Sequence, residues 1–173
     1  MTRYMLESLI TSKTRRRLLI KFFINITNKG YLNSLASEFG ESTNSVRKEL
    51  NNLSSAGYLE KHSENNKVIY KANVSHPLFR EIQNIVKKYL GIEKLIEAVL
   101  ERMGKVDQIY LLGDYARGID SDQIDILITG DKLNIEYISA LEQKLSKLLS
   151  KKIAIITSLN PDVRIKKLLV FSN

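Results

Sequence analysis

Cysteine is absent from the 173-residue sequence, which excludes disulfides and thiolate metal sites and fits a reducing cytoplasm. Histidine is almost as scarce: His62 and His76 alone are little material for a zinc site. No run of eighteen apolar residues occurs, so neither a transmembrane helix nor a membrane partner is expected. In MTRYMLESLITSKTRRR the basic cluster follows the apolar residues, the reverse of the order in a secretory leader. Aspartate is missing from residues 1–90, where seven Glu face fifteen Lys/Arg, a net charge of +8. Residues 91–173 hold every Asp and balance twelve acids against twelve Lys/Arg. A basic half beside a neutral one is the electrostatic footprint of a nucleic-acid binder. Excess charge serving only solubility would be spread more evenly. The remaining composition, 43% hydrophobic and 27% charged, is that of an ordinary globular protein with room for one core or two small domains.

The stretch Leu32 to Ala56, LNSLASEFGESTNSVRKELNNLSSA, reads as two helices joined by a turn at Phe39-Gly40-Glu41. Gly40 takes a left-handed cap without a Cβ clash, and Ser42 suits the N-cap of the second helix. From there Val46, Leu50 and Leu53 share one face at helical spacing. The other face presents Thr43, Asn44, Arg47, Lys48 and Asn51, with Ser45 near the helix start. These are donors for base edges and phosphates, with no acid among them. The pattern predicts a helix-turn-helix with a recognition helix; the plainer alternative is a helical hairpin with a solvated polar face.

Upstream, Met5 to Ile10 reads as a short helical turn, and Ser12-Lys13-Thr14 cap a helix over Arg15–Ile24 with Leu18, Leu19, Phe22 and Phe23 inward. Arg15, Arg16 and Arg17 cannot all face one way, so one or two of them, Arg15 and Arg16 by choice, are expected to touch phosphate. Asn28-Lys29-Gly30 is a turn leading to a brief strand at Tyr31. Gly57 caps the second helix of the pair. Tyr58–Lys61 and Val68–Ala72 have strand character around a turn-prone Ser63–Lys67. A hairpin directly after a recognition helix is a wing, with Lys61, His62 and Lys67 placed to meet phosphates or a minor groove. From about Leu9 to Leu90, the segments LITSKTRRRLLIKFF, LASEFGESTNSVRKELNNLSSAGYLEK and NKVIYKANVSHPLF resemble the ArsR-like winged-helix transcription regulators. That resemblance implies a DNA-binding domain acting as a dimer on pseudo-palindromic sites.

Pro77 is tolerated at a helix start, after which Phe79, Ile82, Ile85, Val86 and Leu90 line one face. Gly91 interrupts, and Ile92–Met103 resumes with Leu95, Ile96, Val99 and Leu100. These stripes read as core packing, as a dimer interface, or as both on different faces. Gln108–Leu112 reads as a buried strand, Ile124–Thr129 as a second and Ile153–Thr157 as a third. A helix is expected over Ile135–Ser150 with Ile138, Leu141, Leu145, Leu148 and Leu149 inward. Lys151 and Lys152 then sit where positive charge suits the helix dipole. Pro161 opens a final segment through Leu169, helical and then extended. The whole is a small α/β unit with its helix on one sheet face.

The passage Gly113 to Ile128 resembles the nucleotidyltransferase superfamily, especially its small stand-alone members. The resemblance implies a Gly-Ser turn holding nucleotide phosphates and a following Arg-Gly. It also implies two carboxylates one residue apart on the second strand, with a third from a later strand, because two divalent metals must bridge the triphosphate. Gly113, Ala116, Arg117 and Gly118 match that pattern. Asp114 stands in place of the serine, and Gln123 occupies the first metal-ligand position. Only Asp125 remains of the pair, and a neutral amide is a poor ligand for a hard cation. Lys151 to Pro161 contains no acid, and the loop from Gly113 to Gln123 is short for the family. Asp120 and Asp122 read as turn residues that bond their own backbone rather than as a rebuilt site. Gly113, Arg117 and Gly118 read as fold remnants, Arg117 pairing with Asp114 or Asp120; a retained pocket for an effector less anionic than a nucleotide is the alternative.

The sequence is therefore read as an α+β chain. A winged helix-turn-helix domain spans 1–75, a helical connector and candidate dimer interface 76–104, and a degenerate nucleotidyltransferase-like domain 105–173. The expected function is sequence-specific transcriptional regulation in the cytoplasm, with double-stranded DNA and a second copy as partners and an unidentified small-molecule effector as a further one. No catalytic residue, metal ligand or cofactor is assigned. Two alternatives stand beside it: an active nucleotidyltransferase recruited to DNA or to a protein, and a protein-interaction module.

Overall fold

The computed structural model describes residues 7–158 and 165–173. The beginning of the expected N-terminal turn and the opening of the final segment at Pro161 lie outside the described residues; residues 7–9 are helical. The chain divides into two compact units, Met1–Val86 and Lys87–Asn173. Each mixes helices with a sheet of its own, one three-stranded and one four-stranded.

The first unit runs α1 (Lys13–Phe23), β1 (Lys29–Tyr31), α2 (Leu32–Phe39), α3 (Thr43–Ser55), β2 (Leu59–Glu64) and β3 (Lys67–Ala72). Ser12 caps α1 by accepting the Arg15 amide. Leu18, Phe22 and Phe23 are wholly buried, and Ile20 and Ile24 nearly so. Such broad burial makes α1 the centre of this core rather than a surface helix with one apolar stripe. α2 ends at Gly40, at φ 61° and ψ 37°. A Cβ there would meet nothing within 4 Å, so backbone conformation and not space demands the glycine. Ser42 then caps α3 by accepting from the Ser45 amide, and Val46, Leu50 and Leu53 are buried beneath it. The strands pair antiparallel in the order β1-β3-β2.

The β2–β3 turn is shorter than the Ser63–Lys67 loop expected from sequence. Glu64 pairs with Lys67, leaving only Asn65 and Asn66 at the tip, with φ of 50° and 60°. Two consecutive left-handed residues are the signature of a tight hairpin turn matched to strand twist, and asparagine tolerates that region. Both strands consequently extend further than their apolar residues suggested.

α4 (Phe79–Leu90) contains the division between the units, within the 76–104 stretch read as a connector. Its start belongs to the first unit: the Phe79 ring lies 5.6 Å from that of Phe23, and Gln83 Nε2 donates to the Phe23 carbonyl at 3.2 Å. Gly91 breaks the helix at φ 72°, and α5 (Ile92–Arg102) follows.

The second unit continues with β4 (Lys105–Leu112), a short helix α6 (Gly113–Ala116) and β5 (Gln123–Asp131). A single 3-10 turn (Ile135–Tyr137), α7 (Ile138–Leu149), β6 (Lys152–Thr157) and β7 (Lys167–Ser172) complete it. Strand order is β6-β5-β4-β7, with β5 and β6 parallel and the other pairs antiparallel. The fourth strand corrects the sequence reading, which ended on an unplaced extended segment; Lys167–Ser172 pairs along β4 as an edge strand. Ile109, Leu111, Ile126 and Ile128 are wholly buried, as are Leu141 and Leu145 of α7. Leu148, expected inward, is 45% exposed, and Leu100 and Ile85, from stripes read as core packing or a dimer interface, are 40 and 42% exposed. Each lies at the margin of its helix's apolar stripe, beyond the width that one neighbouring layer covers. Among the described residues no helix is long and apolar enough to cross a membrane.

Candidate nucleic-acid interface and a closed loop in the second unit

Helix α3 sorts its side chains cleanly. Val46, Leu50 and Leu53 anchor it in the core, while Thr43, Asn44, Ser45, Arg47, Lys48 and Asn51 are exposed. Arg47 donates from its guanidinium to Asn44 Oδ1 at 3.0 Å, so the pair is aligned along the exposed surface. Ser45 is tied into the cap, its hydroxyl accepting from Ser42 Oγ at 3.0 Å. A groove of about 490 Å³ runs beside this face, bringing Arg47 and Asn51 of α3 together with Lys67 of β3 and with Tyr31, Asn33 and Ser34. Lys61 is exposed on β2, opposite Tyr70 in the hairpin register.

Four of the seven acids of this unit are engaged away from the exposed face of α3. Glu49, on the buried side of α3, accepts from Ser12 Oγ and Arg15 Nε, both at 2.8 Å. Burial pushes its carboxyl up, but hydrogen bonds from Arg15 and Ser12 and the charge of Arg15 outweigh that and hold it below the ordinary glutamate value. Arg17 donates to Glu41 Oε1 and to the Phe39 carbonyl, each at 2.6 Å. The buried Lys21 reaches both oxygens of Glu38, at 2.8 and 2.7 Å. Glu60 is shared by Lys71 at 3.1 Å and His62 at 3.2 Å. Four glutamates are thus neutralised by other cations, while Arg47, Lys48, Lys61 and Lys67 form no ion pair among the described residues, Glu64 facing Lys67 across the hairpin register.

Arg15 and Arg16 do not join that face. Arg15 is held by Glu49, and Arg16 donates to the carbonyls of Ile10 and Thr11 at 2.5 and 3.2 Å. Both line a separate cavity with Leu19 and Leu53. The charge asymmetry is also smaller than a division at residue 90 suggested. Counted by the observed units, residues 1–86 carry thirteen Lys/Arg and seven acids, a net +6. Residues 87–173 carry fourteen and twelve, a net +2, because Lys87 and Lys88 fall in the second unit.

In the second unit, Gly113, the first residue of α6, and Gly118, two residues beyond its end, have positive φ of 56° and 76°. Arg117 pairs with Asp114 at 2.5 Å, the first of the two partners expected for it. Gln123 donates its amide to Asp125 Oδ1 at 2.7 Å, so a neutral donor occupies one oxygen of that carboxylate. The other oxygen lies 3.4 Å from where a Cβ on Gly113 would stand. Asp120 accepts from the Tyr115 hydroxyl and from Lys151 Nζ, both at 2.9 Å. Lys151 also donates to the Ser121 carbonyl and lies 5.9 Å from the centre of the Tyr115 ring. The side chains of Lys151 and Asp120 are only 6 and 14% exposed. Lys151 follows the C-cap Ser150, near the helix end as expected, but its ammonium turns into the loop and closes it. Asp122 is exposed, its carbonyl accepting the Lys152 amide at 2.9 Å. Among the described residues no three His, Cys, Asp or Glu side chains gather as a metal site would require.

Sequence reasoning missed the Tyr115–Asp120–Lys151 network and the Ser12–Arg15–Glu49 cluster. Each joins residues more than thirty positions apart, and no local spacing signals such a pairing.

Neither a scan of protein-family models nor a search of curated proteins finds a match for this chain. Among solved structures, it is similar to two mutants of the toxin–antitoxin MntA-HpeT. One is 22% identical with a TM-score of 0.42, over 47% of this chain and 72% of that one. The other is 21% identical with the same score, over 47% and 73%. A further likeness is to a toxin–antitoxin with AMP-PNP, 28% identical at a TM-score of 0.35, over 38% of this chain and 55% of that one. At such scores the likeness alone does not fix the fold of either unit.

Proposed function

We propose that this chain is a sequence-specific DNA-binding regulator. Its first unit acts as a winged helix-turn-helix, and its second keeps a nucleotidyltransferase-like scaffold without catalysing transfer. The observation that carries this reading is the exposed face of α3. Arg47, Lys48, Asn44 and Asn51 stand free of acidic partners, beside a groove that also holds Lys67. α3 then enters the major groove with Thr43 and Ser45 at its leading end, and Lys61 and Lys67 of the hairpin meet backbone phosphates. Two copies bind one pseudo-palindromic site; the exposed Leu100 of α5 supplies apolar surface for their contact. Regulation takes place in the cytoplasm, and the chain carries no cofactor.

Asp114 and Gln123 support the non-catalytic reading of the second unit. Asp114 takes up the Arg117 guanidinium that a phosphate would otherwise meet, and an amide bonded to Asp125 leaves a weak site for a divalent cation. The competing reading, an active transferase, predicts transfer from labelled nucleoside triphosphates with Mg²⁺ or Mn²⁺ that Asp125→Asn abolishes. We expect no transfer.

The test of the DNA reading is an anisotropy titration with duplex DNA at several salt concentrations, comparing wild type with Arg47→Ala. If Arg47 meets phosphate, the salt slope falls by about one unit and affinity drops on every sequence. If it reads a base, roughly 1–3 kcal/mol of discrimination disappears at one position. An isotherm indistinguishable from wild type removes α3 as the reading element.

A further inference from the structure

We infer that the apolar cavity of the first unit is a binding site for a small apolar carboxylate. The cavity measures about 380 Å³, within the range of small-molecule sites. Its walls are Leu19 and Ile20 of α1, Leu53 of α3, and Ile82, Ile85 and Val86 of α4. Four side chains with polar groups interrupt this lining: Arg15, Arg16, Asn52 and Tyr58. Arg15 is balanced by Glu49 at 2.8 Å. Arg16 is not: its guanidinium donates to the neutral carbonyls of Ile10 and Thr11, and no acid pairs with it among the described residues.

An apolar volume with one unbalanced cation in its wall selects its ligand by charge and by shape. A neutral hydrocarbon fills the volume but leaves the guanidinium without a counter-ion. A phosphate monoester brings a second negative charge that the apolar walls cannot solvate. An organic cation meets Arg16 as a like charge. A monoanionic carboxylate on a flexible or aromatic apolar body satisfies both, since a guanidinium binds a carboxylate through two parallel bonds. This site is independent of the DNA-binding reading and is measured without DNA.

Calorimetric titration of the full chain with sodium decanoate and, separately, with 1-decanol tests it. Decanoate is expected to bind at least about tenfold more tightly than decanol, a difference of about 1.4 kcal/mol. Arg16→Gln should remove that preference and leave decanol affinity unchanged, while Arg16→Lys keeps most of it. Ala56→Leu, at an exposed position lining the cavity, should weaken both ligands by filling the space. Equal affinity for acid and alcohol overturns the proposal, as does decanoate binding indifferent to Ala56→Leu. Absence of heat with either ligand up to about 1 mM, a Kd ceiling near 4 kcal/mol of binding, overturns it too. Sedimentation of the unliganded proteins covers the remaining occupant: a wild-type dimer that Ala56→Leu dissociates makes the cavity a face between copies and refutes a ligand site.

Discussion

Replacing Lys151 with methionine tests whether the loop from Gly113 to Gln123 is held shut by structure. Methionine keeps most of the volume and removes the charge, so Asp120 loses its cationic partner while keeping the hydrogen bond from the Tyr115 hydroxyl. Breaking one side of a buried ion pair costs about 3–5 kcal/mol, because the remaining charge stays desolvated. Lys151 and Asp120 retain 6 and 14% exposure, so the low end applies, and we expect a loss of about 3 kcal/mol. Adding Asp120→Asn to Lys151→Met removes the stranded charge and should recover at least about 1 kcal/mol, a non-additivity that a double-mutant cycle measures directly. Urea denaturation followed by circular dichroism provides the assay, with hydrogen exchange along β5 assigning the transition to the second unit. For a unit of this size the slope is about 1–1.5 kcal/mol per molar urea, giving a midpoint shift of about 2–3 M. A shift below about 0.3 M, or strictly additive effects in the cycle, would refute the claim that this ion pair closes the loop.

Three further outcomes follow from local geometry. Glu49→Gln should cost the first unit about 1–2 kcal/mol in denaturant titration, the half-exposed Arg15 keeping the figure modest. The Glu49 carboxyl lies below its ordinary value of 4.5 in the folded chain, so its contribution is complete above that pH and fades as pH falls through the lowered folded value. Glu49→Gln should therefore flatten the acid limb of the stability curve, and an unaltered limb would contradict the assignment. At the hairpin tip, Asn66→Gly should stabilise the first unit by about 0.5 kcal/mol and Asn66→Val destabilise it by about 1–2 kcal/mol, read as opposite shifts in its melting temperature, because φ there is 60°. Gly130→Ala should prevent β4 and β5 from pairing properly, since a Cβ would stand 2.1 Å from the Lys105 carbonyl oxygen; retained exchange protection along β5 would show otherwise.

What the sequence made legible was mostly local. Gly40 and Ser42 announce their caps, and Val46, Leu50 and Leu53 recur at a spacing that only a helix places on one side. The same holds for Gly91, whose left-handed backbone divides α4 from α5. Elements defined by distant partners were harder to see. Lys167–Ser172 has strand composition, but only β4, more than fifty residues earlier, makes it a fourth strand. Leu148 and Leu100 satisfy a helical period and still face outward, because periodicity sets direction without saying how wide the covering layer is. For the candidate interface, the exposed donors of α3 were readable from the helical wheel. Which cations remain unbalanced was not, because Arg15, Arg17 and Lys21 find their glutamates only once α1 packs against α2 and α3. Lys151 makes the same point in the second unit: its partner is set by the fold, not by its neighbours in sequence.

The central claim is that α3 reads DNA sequence. Its most direct measurement is sequencing of genomic fragments retained by the purified full chain at moderate salt, where non-specific attraction is reduced. The account predicts enrichment of a pseudo-palindrome with half-sites about one helical turn apart, and loss of that enrichment in Asn51→Ala and Arg47→Ala. Retained fragments without any shared sequence, or an identical enriched motif in both variants, would contradict it.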